Sequence, residues 1–281
     1  MNYILYNPIS GHGKSEEIAR SIEEKNKGGA KCVDMTKIES YSDFFSDVAA
    51  DDVITICGGD GTLNRFINDT KDVEIKNRIF YFPAGTGNDF WIDITDGTPT
   101  EPVEITKYLK NLPTVTVNGK DYKFINGVGY GIDGYCCEEG DIVRSKGKVA
   151  NYTAIAIKGL LFKFKPRNAT VIIDGVAKEY KKVWIAPAMF GGHYGGGMFP
   201  TPGQSRDNNP ATLSTCLFHG SGKIKTLMIF PKIFKGQHVK YEKNVTVLSG
   251  KEITVKYDRP TALQIDGETI LGVTEYTAKL N

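Results

Sequence analysis

Short apolar runs and amphipathic stretches alternate over the first third of the chain. Residues 3–6, 31–35, 53–57 and 79–82 read as strands, and the Val-Ile-Thr-Ile-Cys run at 53–57 suits a strand buried on both faces. Between them, residues 14–25 place Ile18 and Ile22 on one face of a polar-rich helix, and residues 41–48, 62–68 and 103–109 read as further helices. Such alternation predicts βαβ units around a parallel sheet. After Pro113 the period changes. Asn118-Gly119 joins two short strands over 115–122, and Asp174-Gly175 does the same over 170–180. Strand-like segments follow at 183–186, 213–218, 245–248, 253–257 and 262–265, interrupted by one segment of helical length at 149–164. The expectation is an α/β domain over 1–115 and a mainly antiparallel β-sandwich domain over 116–274.

Composition narrows the class. The chain has 281 residues, enough for one large or two ordinary domains, with 40% apolar residues and a net charge of +2. That balance excludes disorder and argues against a dedicated nucleic-acid binder, while leaving room for a local basic patch. No apolar run approaches the roughly 18 residues of a membrane-spanning helix. Met1 leads straight into a strand pattern, without the charged and apolar regions of a signal peptide. Five cysteines, an odd number without CxxC spacing, read as reduced thiols, the adjacent Cys136-Cys137 pair included. The expected location is cytoplasmic.

Three loops rich in small residues each follow a strand. The first, Asn7-Pro8-Ile9-Ser10-Gly11-His12-Gly13-Lys14-Ser15, carries Gly-Lys-Ser but has Pro8 where a P-loop needs its first glycine, so it is not one. It remains a strand-to-helix turn with backbone N–H groups suited to an anion. The second is Gly58-Gly59-Asp60-Gly61-Thr62, where glycines permit close approach of a ligand. Beside phosphate, the Asp60 carboxylate makes sense with a cation such as Mg²⁺, directly or through water; without phosphate it is an ordinary helix cap. The third, Pro83-Ala84-Gly85-Thr86-Gly87-Asn88-Asp89-Phe90, presents a hydroxyl and an amide between glycines. In a parallel sheet all three lie at the carboxyl ends of strands and can converge on one nucleotide.

These loops, in this order, resemble the diacylglycerol kinase catalytic-domain family, relatives of sphingosine and ceramide kinases that share GGDGT with NAD kinases. Further matches are Phe124-Ile125-Asn126-Gly127-Val128-Gly129, Gly131-Ile132-Asp133, Tyr194-Gly195-Gly196-Gly197-Met198-Phe199-Pro200 and Ile265-Asp266-Gly267-Glu268. The resemblance implies an ATP- and Mg²⁺-dependent lipid kinase with its active site in the cleft between an α/β nucleotide domain and a β-sandwich, the last strand, 275–281, being one that could return to the first domain. It would place Asn7, Ser10, Gly58, Gly59, Gly61, Thr62, Gly85, Thr86 and Asn88 around ATP, and Asp60 in the Mg²⁺–water network. Asp266 would accept the proton of the lipid hydroxyl, with Glu268 its charged neighbour. On the residues alone, Asp266-Gly267 reads as a hairpin turn, like Asn118-Gly119 and Asp174-Gly175. The family's acidic pair after the GGGM stretch is reduced here to Asp207, which puts a structural metal there in doubt.

Gly129-x-Gly131-x-x-Gly134 matches a dinucleotide fingerprint in form only, with no clear βαβ unit behind it. Residues 143–167 hold seven basic side chains and no acid, interleaved with apolar residues. They read either as a docking site on a membrane or as a core-facing helix with a solvated face. Two other functions remain open, an NAD-kinase-like phosphotransferase for a soluble acceptor and a silent nucleotide- or lipid-binding regulator. Homodimerisation is also open.

Overall fold

The computed structural model describes every residue except Thr86, Asp96 and Gly97, and leaves out the side chain of His12. The chain divides into two compact units, Met1–Leu112 and Pro113–Asn281. In the first, β1 (Asn2–Tyr6), α1 (Lys14–Lys25), β2 (Ala30–Asp34), α2 (Tyr41–Asp47), β3 (Val53–Gly58), α3 (Asp60–Asp69), β4 (Arg78–Pro83), α4 (Asp89–Ile94) and β5 (Val103–Glu104) follow in order. The sheet order is β2-β1-β3-β4-β5, with β1 to β4 parallel and β5 antiparallel to β4. The chain leaves β1 for one side to form β2 and crosses back to form β3 on the other. The switch point of the sheet therefore lies between the carboxyl ends of β1 and β3, where open α/β sheets take ligands. Burial explains the assignment: Ile4, Leu5, Ile54, Ile56 and Tyr81 have no exposed surface.

The helix expected at 103–109 does not form. Val103 and Glu104 pair with Tyr81 and Phe80, and a 3-10 turn Thr106–Leu109 follows. The Arg78 guanidinium holds Glu104 at 2.6 Å, and the Thr106 hydroxyl accepts the Ile79 N–H. A helix too short to sustain itself gives way to extension of the sheet edge.

The second unit contains β6 (Thr114–Val117), β7 (Lys120–Lys123), β8 (Gly127–Tyr130), α5 (Ile132–Ser145), α6 (Tyr152–Lys158), β9 (Arg167–Ile173) and β10 (Val176–Val183). It continues with β11 (Ala188–Met189), β12 (Leu213–Phe218), α7 (Lys223–Ile229), β13 (Val245–Gly250), β14 (Glu252–Ile265) and β15 (Glu268–Lys279). All strand pairs described in it are antiparallel, in the order β13-β12-β11-β8-β14-β15-β6-β7, with β9 joining β14 to β10. The last strand does not return to the first sheet. A two-residue turn at Asp266-Gly267 folds β15 back on β14, and Tyr276–Lys279 then pair with Val117–Thr114 of β6. Once that tight turn sets the register, the whole of β15 is committed to this sheet.

Two helical differences matter for function. The 149–164 segment forms α6 and then a π-helical turn, Gly159–Lys163, rather than one helix. A Cβ at Gly159 would stand 2.6 Å from the Tyr135 ring, so glycine lets the chain lie against α5 there. The sequence reading also missed α5 itself, because Gly134 and Gly140 depress helix propensity. Both glycines are demanded by packing: a Cβ at Gly134 would meet the Ala262 carbonyl oxygen at 2.0 Å, and one at Gly140 the Tyr152 ring at 2.6 Å.

Candidate functional site

In the first unit the three loops lock into one another. Gly59 N–H and the Thr62 hydroxyl both donate to the Ser10 hydroxyl oxygen, at 3.3 and 3.2 Å. That joins the loop after β1 to the loop after β3. Gly11, at φ +59°, lies so close to the third loop that a Cβ would stand 2.0 Å from the Ala84 carbonyl oxygen. Gly59 and Gly85 abut directly: a Cβ on Gly85 would stand 2.5 Å from the Gly59 Cα. The Asp60 carboxylate completes the lock. Its two oxygens accept the N–H groups of Asp89 at 2.8 Å and Phe90 at 3.1 Å, the opening residues of α4.

The remaining predicted residues fall into place around this. Asn7 shapes the first loop, its side-chain oxygen accepting the Ile9 N–H at 3.2 Å and its carbonyl holding the Ser15 hydroxyl. Asn88 closes the third loop on Gly85, accepting its N–H and donating to its carbonyl at 3.2 and 3.1 Å. Gly58 takes no larger residue because a Cβ would overlap the Thr62 side chain at 2.5 Å. Gly61 stands in the first turn of α3. Thr86 lies outside the described residues. The Tyr81 hydroxyl donates to Gly58 O at 3.0 Å, and burial together with Asp60, Cys57 and Asp89 holds its proton far above the usual range.

This donor set fits a polyphosphate. The first-turn N–H groups of a helix have no partners within it, and they carry the positive end of its dipole. In α1 that end already faces Glu16 and Glu17, whereas the one first-turn acid of α3, Asp60, is turned to α4. The α3 end is therefore the better anion site. For Mg²⁺ the fit is looser. Both Asp60 oxygens already accept an amide, and no three His, Cys, Asp or Glu side chains cluster for a metal among the described residues. A cation here would rest mainly on phosphate oxygens and water, as Mg²⁺ commonly does.

In the second unit, Asp266 sits at φ +46° in the β14–β15 turn, with Gly267 at φ +100°. Its buried carboxylate accepts three consecutive N–H groups, from Ile125 at 2.7 Å, Asn126 at 2.8 Å and Gly127 at 2.9 Å. At least three of the roughly four lone-pair positions of a carboxylate are thus engaged. Glu268 follows on the exposed side of the same hairpin. Arg206, which the sequence reading passed over, clamps the opposite side of this loop. It donates to the Ile125 carbonyl and, at 2.6 Å, to the Asn126 side-chain oxygen, with its guanidinium over the Phe190 ring. Asp207 is exposed in the adjoining turn, its N–H on the Ser205 hydroxyl.

A second residue to which the sequence assigned no role is Asp133, quoted there only within a matching stretch and buried in the first turn of α5. It accepts the Tyr194 hydroxyl at 2.8 Å and the Gly134 N–H at 3.0 Å. Burial pushes its carboxyl up to about 6 against the opposing pull of those bonds. The Gly131-Ile132-Asp133 stretch just behind β8 was the available signal. The dinucleotide-like glycines around it are filled by protein: a Cβ at Gly129 would meet the Asp133 carboxylate at 2.2 Å, and one at Gly131 the Trp184 carbonyl oxygen at 2.2 Å.

An open sheet with interlocked glycine loops at its switch point defines an α/β protein of the kind that takes ligands at the carboxyl ends of its strands. The family model for the diacylglycerol kinase catalytic domain matches residues 2–118, and that for the YegS C-terminal NAD kinase beta sandwich-like domain matches residues 126–279. The second of these models covers more than half of the chain, which therefore belongs to the family of that sandwich-like domain, with a match to the diacylglycerol kinase catalytic domain preceding it. A protein from Mycobacterium tuberculosis named diacylglycerol kinase is 26% identical over 267 residues, covering 90% of this chain and 84% of its own. A crystal structure titled as a diacylglycerol kinase from Bacillus anthracis str. Sterne superposes with a TM-score of 0.63 at 20% identity, covering 99% of this chain and 93% of that one. The latter likeness is one of fold. Among the described residues no helix is long and apolar enough to cross a membrane.

Proposed function

We propose that this protein transfers the γ-phosphoryl group of ATP to a hydroxyl of a lipid of the diacylglycerol type. The observation that carries the reading is the interlock of the three loops at the β1/β3 switch point, which gathers them around the amino end of α3. In this reading the backbone amides of the first turn of α3 hold the phosphates, and the Ser10 hydroxyl, taking the Gly59 N–H, keeps that turn against the first loop. Asp60 keeps the start of α4, and with it the third loop, in register. Mg²⁺ bound with the nucleotide supplies neutralisation of phosphate charge, and the rest of the work is positioning. Asp266 and Arg206 together fix the 125–127 loop, which we assign to positioning the acceptor. The name of the mycobacterial relative supports a diacylglycerol-type acceptor.

The test is incubation of the protein with γ-labelled ATP, Mg²⁺ and either a total lipid extract or NAD, with mass spectrometry of the products. A lipid that gains one phosphate is the expected result. Label appearing on NAD alone would move the protein to the soluble-acceptor class. ATP binding without transfer to either would make it a regulator.

A further inference from the structure

We infer that the protein docks reversibly on anionic lipid bilayers through one face of its second unit, formed by residues 152–163 and 223–235 together. This deepens the lipid-kinase reading by naming where the acceptor is met, and it rests on that reading only for its purpose. The first segment is α6 with its π-helical turn; the second is α7 with the 3-10 turn Phe230–Lys235.

The two segments lie side by side. Their inward residues share one core cluster, Leu160 from the first with Ile229, Phe230 and Ile233 from the second. The Lys223 ammonium donates to the Leu161 carbonyl at 2.7 Å, tying the start of α7 to the π-helical turn. Their outward residues are also apolar. Phe162 is 73% exposed, Ile224 76%, Met228 68%, Phe234 51% and Ile157 45%. A surface helix ordinarily turns polar side chains to water. Ile224 and Met228, four residues apart, instead form a stripe on the outer face of α7. Isolated exposed apolar residues need no explanation, but a contiguous set on adjoining segments marks an interaction surface.

Charge selects the occupant. No Asp or Glu occurs in residues 142–173 or 208–241, which carry seven and five basic side chains respectively. The acids of α5 end at Asp141, just before the first stretch. Against a second copy of this chain, the face would set like charge on like charge. Against an anionic bilayer, the apolar side chains enter the acyl boundary while the lysines, on flexible stems, remain among the headgroups.

Cosedimentation of the full-length protein with phosphatidylcholine vesicles, with and without phosphatidylglycerol, tests this. Binding should require phosphatidylglycerol and weaken with salt. Ile224→Ser with Met228→Ser should weaken it by at least about tenfold. Lys225→Glu with Lys235→Glu should weaken it by at least about fivefold. The serine variant should keep its thermal midpoint and its transfer to a detergent-dispersed short-chain diacylglycerol. Phe162→Trp supplies a gain of signal, a blue shift of emission when anionic vesicles are added. Absence of wild-type binding at low salt, an unmoved tryptophan spectrum on bound protein, or serine-variant binding equal to wild type each overturns the proposal. So does a wild-type dimer that the serine variant converts to monomer, since a second copy would then cover the face. Vesicle binding without phosphoryl transfer to any lipid would sink the kinase reading and leave docking intact.

Discussion

Two glycine-rich strand-to-helix turns in this chain look alike on paper, residues 58–61 after β3 and residues 129–134 between β8 and α5. Both glycine sets are required by close backbone approach. What approaches differs. β3 has parallel neighbours, so β1, β3 and β4 end at the same edge and their loops meet one another there, around the start of α3. β8 has antiparallel neighbours, β11 and β14, so neighbouring strands run past its end. Trp184 and Ala262 carbonyl oxygens occupy the space a phosphate would need. A glycine pattern reports that something comes near the backbone; strand direction decides whether that can be a ligand.

The carboxylates extend the comparison. Asp60 and Asp266 both look catalytic in the sequence, and both spend their oxygens on backbone amides of another loop. The largest expected effect tests the second. Asp266→Ala leaves three buried N–H groups without their acceptor and should lower stability by about 3–5 kcal/mol in urea unfolding. An unchanged midpoint would remove Asp266 from its clamping role.

Next comes the pair of glycines. Gly134→Ala should cost about 3 kcal/mol, since the Ala262 backbone must move. Its effect should appear in thermal unfolding and leave ATP affinity unchanged. Gly85→Ala, which drives Cβ into Gly59, should weaken ATP binding by at least about tenfold in calorimetry. If the two variants lose the same property, the distinction between the turns fails.

Asp133 gives a pH test. Its carboxyl rises from 3.8 to about 6 in the folded chain, so the folded state holds this proton more tightly than the unfolded state. The group therefore costs nothing below about pH 4 and destabilises increasingly as pH rises through its folded value near 6, by up to ~3 kcal/mol. Asp133→Asn should flatten that part of the stability–pH curve. Unfolding curves for both proteins at pH 4 and pH 7 measure the difference. A parallel fall in the two would remove Asp133 from the account.

The smallest effect belongs to Ser10→Ala, which frees the Gly59 N–H and Thr62 hydroxyl from their common acceptor. It should cost about 1 kcal/mol of stability and raise the ATP dissociation constant about fivefold. A variant indistinguishable from wild type in both would show that the interlock does not depend on this hydroxyl.

Much of the first unit was legible from its residues. The buried run at 53–57 could only be an interior strand, and three small-residue loops directly behind strands could only lie at one edge of a parallel sheet. Turn chemistry was equally readable at Asn118-Gly119, Asp174-Gly175 and Asp266-Gly267, because positive φ at both positions selects those pairs. Helix α5 was not legible. Its glycines lower local propensity, and their compensation, close contact with β14 and Tyr152, comes from residues far along the chain. Nor could the sequence say that Asp60 faces the start of α4, that Arg206 braces the 125–127 loop, or that 223–235 lies beside 152–163. Periodicity and turn preference act over a few residues, so the sequence by itself determines elements, loops and their order. Which carboxylate meets which amide, and which apolar faces are left outward, depends on contacts between distant segments, and only the tertiary structure decides those.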